Sequence, residues 1–273
     1  MSGMHGMDAY SPREIAARVN DFCVVKAHMP LLALSMLGLL AGAFIGLGAL
    51  MFTLVASDAG LGFAATRLLG GLAFSLGLIL VTVAGAELFT GNNLLAMAWA
   101  SRRVSTRELL RNWIVVCAAN FVGAVGLTGL VWLSGHAAMN DGAVGRTVIG
   151  IAIAKAGLSV GEAFFRGVLC NVLVCMAVWM ALAGRSVTDK AVAIVFPITG
   201  FVAAGFEHSI ANMYYFPLAM LLGAPLGWTD LARNLVPVIA GNIVGGSVLV
   251  ALVYHVVYVR GAPSDRHAAG TGA

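Results

Sequence analysis

Glu87 and Glu207 each stand inside an apolar run long enough to cross a lipid bilayer. A carboxyl group at that depth costs several kcal/mol, so it faces protein or a water-filled path. The surroundings of the two acids match. Gly85-Ala-Glu-Leu-Phe-Thr-Gly-Asn92 and Gly205-Phe-Glu-His-Ser-Ile-Ala-Asn212 each run glycine, glutamate two residues on, asparagine seven residues on. Two such sites, in corresponding parts of two halves, point to a transport pathway.

Composition settles the class. Of 273 residues, 60% are hydrophobic and 10% charged, with a mean hydropathy of +0.93. A soluble domain carries about 25% charged residues, so this is an integral membrane protein. The net charge of +4 does not signal a nucleic-acid partner, because basic residues collect on the cytoplasmic loops of membrane proteins. Cys23, Cys117, Cys170 and Cys175 form no CxxC pair, so no disulfide framework, metal site or cofactor is expected. The first thirty residues hold Asp8, Arg13, Glu14, Arg18, Asp21 and Lys26 and do not read as a secretory signal.

A spanning helix needs roughly 20 mostly apolar residues. Six stretches qualify: Leu31–Ala56, Leu68–Ala100 interrupted at Glu87–Asn93, Trp113–Ser134, Gly167–Gly184 with a start near Val160, Ala191–Leu222 interrupted at Glu207–His208, and Asn234–Tyr254. With the N-terminus inside, eleven Lys and Arg fall on the inner side, among them Lys26, Arg111, Lys190 and Arg266. Five (Arg67, Arg146, Lys155, Arg166 and Arg233) fall on the outer side, so both termini are expected in the cytoplasm. Residues 1–30 read as a cytoplasmic segment with a short amphipathic helix starting at Ser11-Pro-Arg-Glu. Residues 31–260 form the transmembrane domain, and 261–273 read as a disordered tail.

The halves overlay. Arg111-Asn-Trp-Ile-Val-Val-Cys-Ala-Ala-Asn-Phe-Val-Gly123 resembles Arg233-Asn-Leu-Val-Pro-Val-Ile-Ala-Gly-Asn-Ile-Val-Gly245. Span three therefore matches span six, and span two matches span five. Three spans per half is an odd number, so residues 31–134 and 158–258 form an inverted repeat, with the path at their interface. The fold class is all-α integral membrane, six helices, two of them broken. Gly85, Gly91 and Gly205 permit turns at the breaks, and Asn92 and Asn212 are expected to cap the half-helices that follow. An ordinary kinked helix is the bland alternative, but both kinks carry a glutamate at matched positions. Gly38, Gly42 and Gly46 lie on one face of span one and signal tight helix packing.

His208 leads the candidates, since a histidine deep in a span can gain or lose a proton near physiological pH. Thr90, in the facing break, offers a hydroxyl that donates and accepts. A carboxylate beside an anion path would repel the substrate, so Glu87 and Glu207 are read as holding the break or orienting polar neighbours. Asn171 and Asn242 are candidate buried partners. Lys155 precedes span four and is placed to attract anions by charge, against the plain alternative of a solvated loop lysine. Phe74, Leu78, Leu88, Phe89 and Phe201 flank the breaks and would narrow a pore.

On these residues the chain resembles the formate/nitrite transporter family. Phe74-Ser-Leu-Gly-Leu-Ile-Leu80, Ala86-Glu-Leu-Phe-Thr90, Cys170-Asn-Val-Leu-Val-Cys-Met-Ala-Val-Trp179, Gly205-Phe-Glu-His-Ser-Ile-Ala-Asn-Met213 and Pro237-Val-Ile-Ala-Gly-Asn-Ile-Val-Gly-Gly246 carry the resemblance over nearly the whole chain. It implies an aquaporin-like protomer and a homopentamer with one pore per protomer, multi-pass in the bacterial inner (plasma) membrane. It implies passage of small monovalent anions, formate first, with nitrite and hydrosulfide open. His208 and Thr90 would be the central pair, Lys155 the outer attractor, Asn171 and Glu207 the network around His208, and Asn242 a lining residue. Phe74 and Phe201 would narrow one side, Leu78 and Leu88 the other, with Phe89 near the loop. Two rival classes remain: an intramembrane hydrolase using Ser209 or Ser159 with His208, and an ammonia-type channel. The first lacks a nucleophile motif, since Gly157-Leu-Ser-Val-Gly161 follows no strand. The second usually needs paired pore histidines.

Overall fold

The computed structural model describes residues 9–58 and 60–260; the tail expected over 261–273, with Arg266, lies outside them. The described residues are helical throughout, with no strand among them. The order is α1 (Pro12–Ala27), α2 (Leu31–Ala56), α3 (Phe63–Ala84), a 3-10 turn (Gly91–Leu94) leading into α4 (Leu95–Ala100), and α5 (Thr106–Leu133). The second half runs α6 (Ala143–Ala156), α7 (Val160–Ala181), α8 (Val187–Ala204), α9 (Ser209–Leu221) and α10 (Trp228–Ile243). Beyond α10, π-helical turns at Val244–Leu252 and His255–Arg260 complete a sixth span of 33 residues.

Local chemistry starts these helices where they start. Ser11/Glu14, Ser105/Glu108, Ser159/Glu162 and Ser186/Asp189 form capping boxes at α1, α5, α7 and α8. Each satisfies two amides that the first helical turn leaves free. This is why the third span begins at Thr106, not at Trp113: its first turn is polar and capped. The span exteriors expose large apolar side chains, such as Leu133 and Phe196, each 74% exposed. Such a surface is stable against lipid rather than water.

Within each half, the first span packs on the other two or their continuations: α2 on α3 and α5, α7 on α8 and α10. The broken helices α3 and α8 join the halves. Glycines set the closeness of these crossings. A Cβ built on Gly42 would lie 2.0 Å from the Asn120 carbonyl oxygen, and one on Gly241 2.2 Å from that of Phe164. Backbones that close gain van der Waals contact, the main source of helix attraction in lipid.

Candidate functional site

The two breaks begin alike. α3 ends at Gly85 (φ 83°) and α8 at Gly205 (φ 75°), both left-handed, a conformation glycine adopts without a Cβ clash. Gly91 is not left-handed; it opens the 3-10 turn instead. The free backbone groups that follow need partners, since no water reaches them in hydrocarbon. Glu87 N donates to Leu37 O at 3.1 Å, and Glu207 N to Arg166 O at 3.2 Å. Asn120 Oδ1 accepts from Phe89 N while its Nδ2 donates to Glu87 O and Gly38 O. Asn242 repeats this on Ser209 N, Glu207 O and Gly167 O. Asn242 therefore holds the break from behind and lines neither of the two cavities beside it.

Each glutamate is neutralised by a lysine. Lys155 Nζ lies 2.8 Å from Glu207 Oε1, with side-chain exposures of 16% and 4%. Asn212 Nδ2 donates to the other Glu207 oxygen at 2.7 Å and approaches Asn234 Oδ1 at 2.6 Å, and Asn234 Nδ2 returns to Lys155 O at 3.1 Å. The expected network of Glu207 with His208 is thus replaced by one with Lys155 and Asn212. Lys155 stands in the last turn of α6, not in a loop. The first half carries the same ring on Lys26, Glu87, Asn92 and Asn112. These carboxylates are structural ion pairs, and removing one partner of such a pair strands a buried charge.

His208 and Thr90 meet across the halves, Nε2 to Oγ1 at 3.0 Å, at 2% and 0% exposure. The cap of α9 is His208 itself, not Asn212: its Nδ1 accepts from Ala211 N at 3.2 Å. A nitrogen that accepts an N–H carries no proton, so the cap assigns the neutral tautomer with the proton on Nε2. Nε2–H then donates to Thr90 Oγ1, leaving the threonine hydroxyl hydrogen free to donate onward. Asn171 braces Thr90 rather than His208. Its Nδ2 lies 3.2 Å from Thr90 O, 2.7 Å from Asn93 Oδ1 and 2.6 Å from Asn242 O. The Cys175 thiol also donates to Thr90 O.

Cavities approach this pair from both sides. One, of about 220 Å³, is lined by Lys155, Arg67, Arg166, Phe74, Phe201 and His208 among others. Phe74 and Phe201 meet edge to face at 5.7 Å, and Phe201 stacks on the His208 ring at 5.8 Å. The other, of about 290 Å³, is lined by Lys26, Glu87, Leu78 and Leu88, with Cys23 and Lys190. Burial pushes the Cys23 thiol up to about 12, so it stays neutral there. Phe89 departs from expectation: it lines neither cavity and joins an apolar groove with Trp113, Met213 and Ile239. The serines of the rival hydrolase reading are not activated. Both His208 nitrogens are engaged elsewhere, Ser209 Oγ has no partner among the described residues, and Ser159 caps α7.

Lys26, Asn112, Asn120, Asn212 and Asn234 are frame residues to which the sequence reading gave no such role. Asn112 and Asn120 stand opposite Asn234 and Asn242 in the repeat alignment, and Lys26 precedes α2 by the five residues that separate Lys155 from α7. The correspondence thus reaches back to α1 and α6.

Comparison with known proteins places this geometry in a family. The model of the formate/nitrite transporter family matches residues 13–256. The chain is 38% identical to the formate channel FocA of Haemophilus influenzae over 264 residues, covering 89% of this chain and 93% of that one. It is 37% identical to FocA of Escherichia coli K12 over 287 residues, covering 98% and 100%. A solved structure described as a pentameric formate channel with formate bound superposes with a TM-score of 0.78 at 38% identity, covering 84% of this chain and 97% of that one. The chain belongs to the formate/nitrite transporter family.

Proposed function

We propose that this protein conducts formate, and with it nitrite and other small monovalent anions, through one pore per protomer of a homopentamer. It sits in the bacterial inner membrane with both termini in the cytoplasm, so the Lys155 cavity faces outward and the Lys26 cavity inward. The observation that carries this reading is the His208–Thr90 pair, a buried donor couple set between two apolar collars with a lysine-bearing cavity beyond each.

A bare anion pays a large desolvation cost in a dry constriction. In the resting site the Nε2–H of His208 points at Thr90. An entering anion replaces the threonine oxygen as acceptor, and the threonine hydroxyl supplies a second donor. Both donors are held in place before the anion arrives, so binding exchanges one His208–Thr90 hydrogen bond for bonds to the anion and needs no larger rearrangement. Handing a proton to the anion requires His208 to hold two protons, and the second must sit on Nδ1, where the Ala211 amide now bonds. Proton transfer is therefore coupled to loosening of the first turn of α9. Asn171 and Cys175 keep the Thr90 carbonyl, and with it the hydroxyl, in register.

Radiolabelled uptake of formate, nitrite and hydrosulfide into proteoliposomes across a pH series tests the reading. Formate and nitrite are expected to enter saturably, with flux depressed in His208→Phe and His208→Asn. Flux of the same size and pH dependence in those variants would overturn it.

A further inference from the structure

The Lys155–Glu207 pair adds no net charge to its cavity, since the two groups neutralise one another at 2.8 Å. Two further cations stand in the same wall, Arg67 of α3 and Arg166 of α7. Arg166 has Glu162 one helical turn before it on the same face, a spacing at which opposite charges attract. Arg67 is different. Among the described residues, no carboxylate lies within ion-pair distance of it.

What Arg67 touches is main chain. Its Nε donates to Ala203 O at 2.9 Å and its Nη2 to Val202 O at 2.6 Å. Those carbonyls end α8 and carry the negative end of its dipole, so the guanidinium cancels a charge that would repel anions at the break. A guanidinium has five N–H donors. The edge formed by Nε and Nη2 is used, and among the described residues no hydrogen bond takes the edge formed by Nη1 and Nη2. The side chain is half-buried, held by those two bonds, with its Cζ 5.7 Å from the Phe52 ring centroid.

We infer that Arg67 is an anion-holding residue of the Lys155 cavity, presenting its free two-donor edge to a planar, two-oxygen monovalent anion before it reaches Phe74 and Phe201. The inference rests on the anion-channel reading above and adds selectivity to it. A carboxylate or nitrite matches the fork with two coplanar oxygens, whereas hydrosulfide offers a single atom. Lys155 keeps donors for the next step but does not supply the net attraction.

The test uses the full chain in proteoliposomes. Phenylglyoxal labelling of Arg67, located by peptide mass spectrometry, is expected to slow about threefold or more with formate or nitrite present and much less with hydrosulfide, because the fork fits two-oxygen anions. In flux assays Arg67→Gln should raise KM for formate by about 10-fold, the low end for electrostatic focusing in a cleft. Saturating flux should change little. Arg67→Lys should fall between, since it keeps the charge and loses the fork. If both variants lower saturating flux and melting temperature together while KM holds, Arg67 only caps α8 and the inference is overturned. Wild-type flux with no protection of Arg67 overturns the site and leaves the channel. Protection without flux overturns the channel and leaves the site.

Discussion

In the first half, the Lys26–Glu87–Asn92–Asn112 ring closes with contacts of 2.8, 2.7, 2.9 and 3.1 Å. In the second, Lys155–Glu207–Asn212–Asn234 closes with 2.8, 2.7, 2.6 and 3.1 Å. The residue after each glutamate is where the halves part: Leu88 in one, His208 in the other. Three positions after the glutamate, Thr90 faces Ile210 in the alignment. The lysines diverge as well. Lys26 has a second bond, to Asn92 Oδ1 at 2.9 Å, whereas Asn212 Oδ1 has no partner among the described residues. The shared frame solves a problem both halves have, loose backbone ends in hydrocarbon. The chemistry comes from divergence, one half giving the ring and the other the hydroxyl.

The equivalence is tested most severely at the ion pairs. Glu87→Ala strands the buried Lys26 and Glu207→Ala the largely buried Lys155, and each should cost about 3–5 kcal/mol, read as a fall in melting temperature of the purified protein. A large loss at one site only would break the equivalence. The divergence is tested by His208→Leu, which makes the second break copy the first. It removes a hydrogen bond to an anion, worth about 1.5–3 kcal/mol, so formate flux should fall roughly 10- to 100-fold; the lost α9 cap should also lower stability by about 0.5–2 kcal/mol, less than either glutamate variant.

Helix crossings come next. A Cβ on Gly123 would lie 1.9 Å from Leu39 O, and one on Gly245 2.2 Å from Val168 O. Gly123→Ala and Gly245→Ala should each destabilise by about 1–3 kcal/mol through overpacking, and a difference between them in thermal denaturation would measure how far the crossings have drifted apart. The smallest effect falls at the turns. Gly85→Ala should cost about 1 kcal/mol for its left-handed backbone. Gly205→Ala should cost more, because its methyl would also meet Arg67 Nη2 at 3.1 Å.

Hydropathy located all six spans, because length and apolarity suffice for that. It passed over α6, whose 14 residues are too few to cross and include Arg146 and Lys155. The matched glutamates revealed the breaks, and charge logic took the chemistry off them. Their lysine partners were hidden because the contacts span 52 and 61 residues of chain and no local spacing encodes them. Arg67 was legible only as a flank charge, since what it caps lies 136 residues away.

The cap on α9 also has a bearing on timing. Because Nδ1 holds the Ala211 amide, the imidazole cannot turn over without fraying the helix start. An exposed ring reorients in picoseconds to nanoseconds, whereas local opening of backbone takes on the order of microseconds or longer. The donor therefore stays aimed between one passing ion and the next. On the proposed reading, such a site needs no reorientation of the ring after each departure.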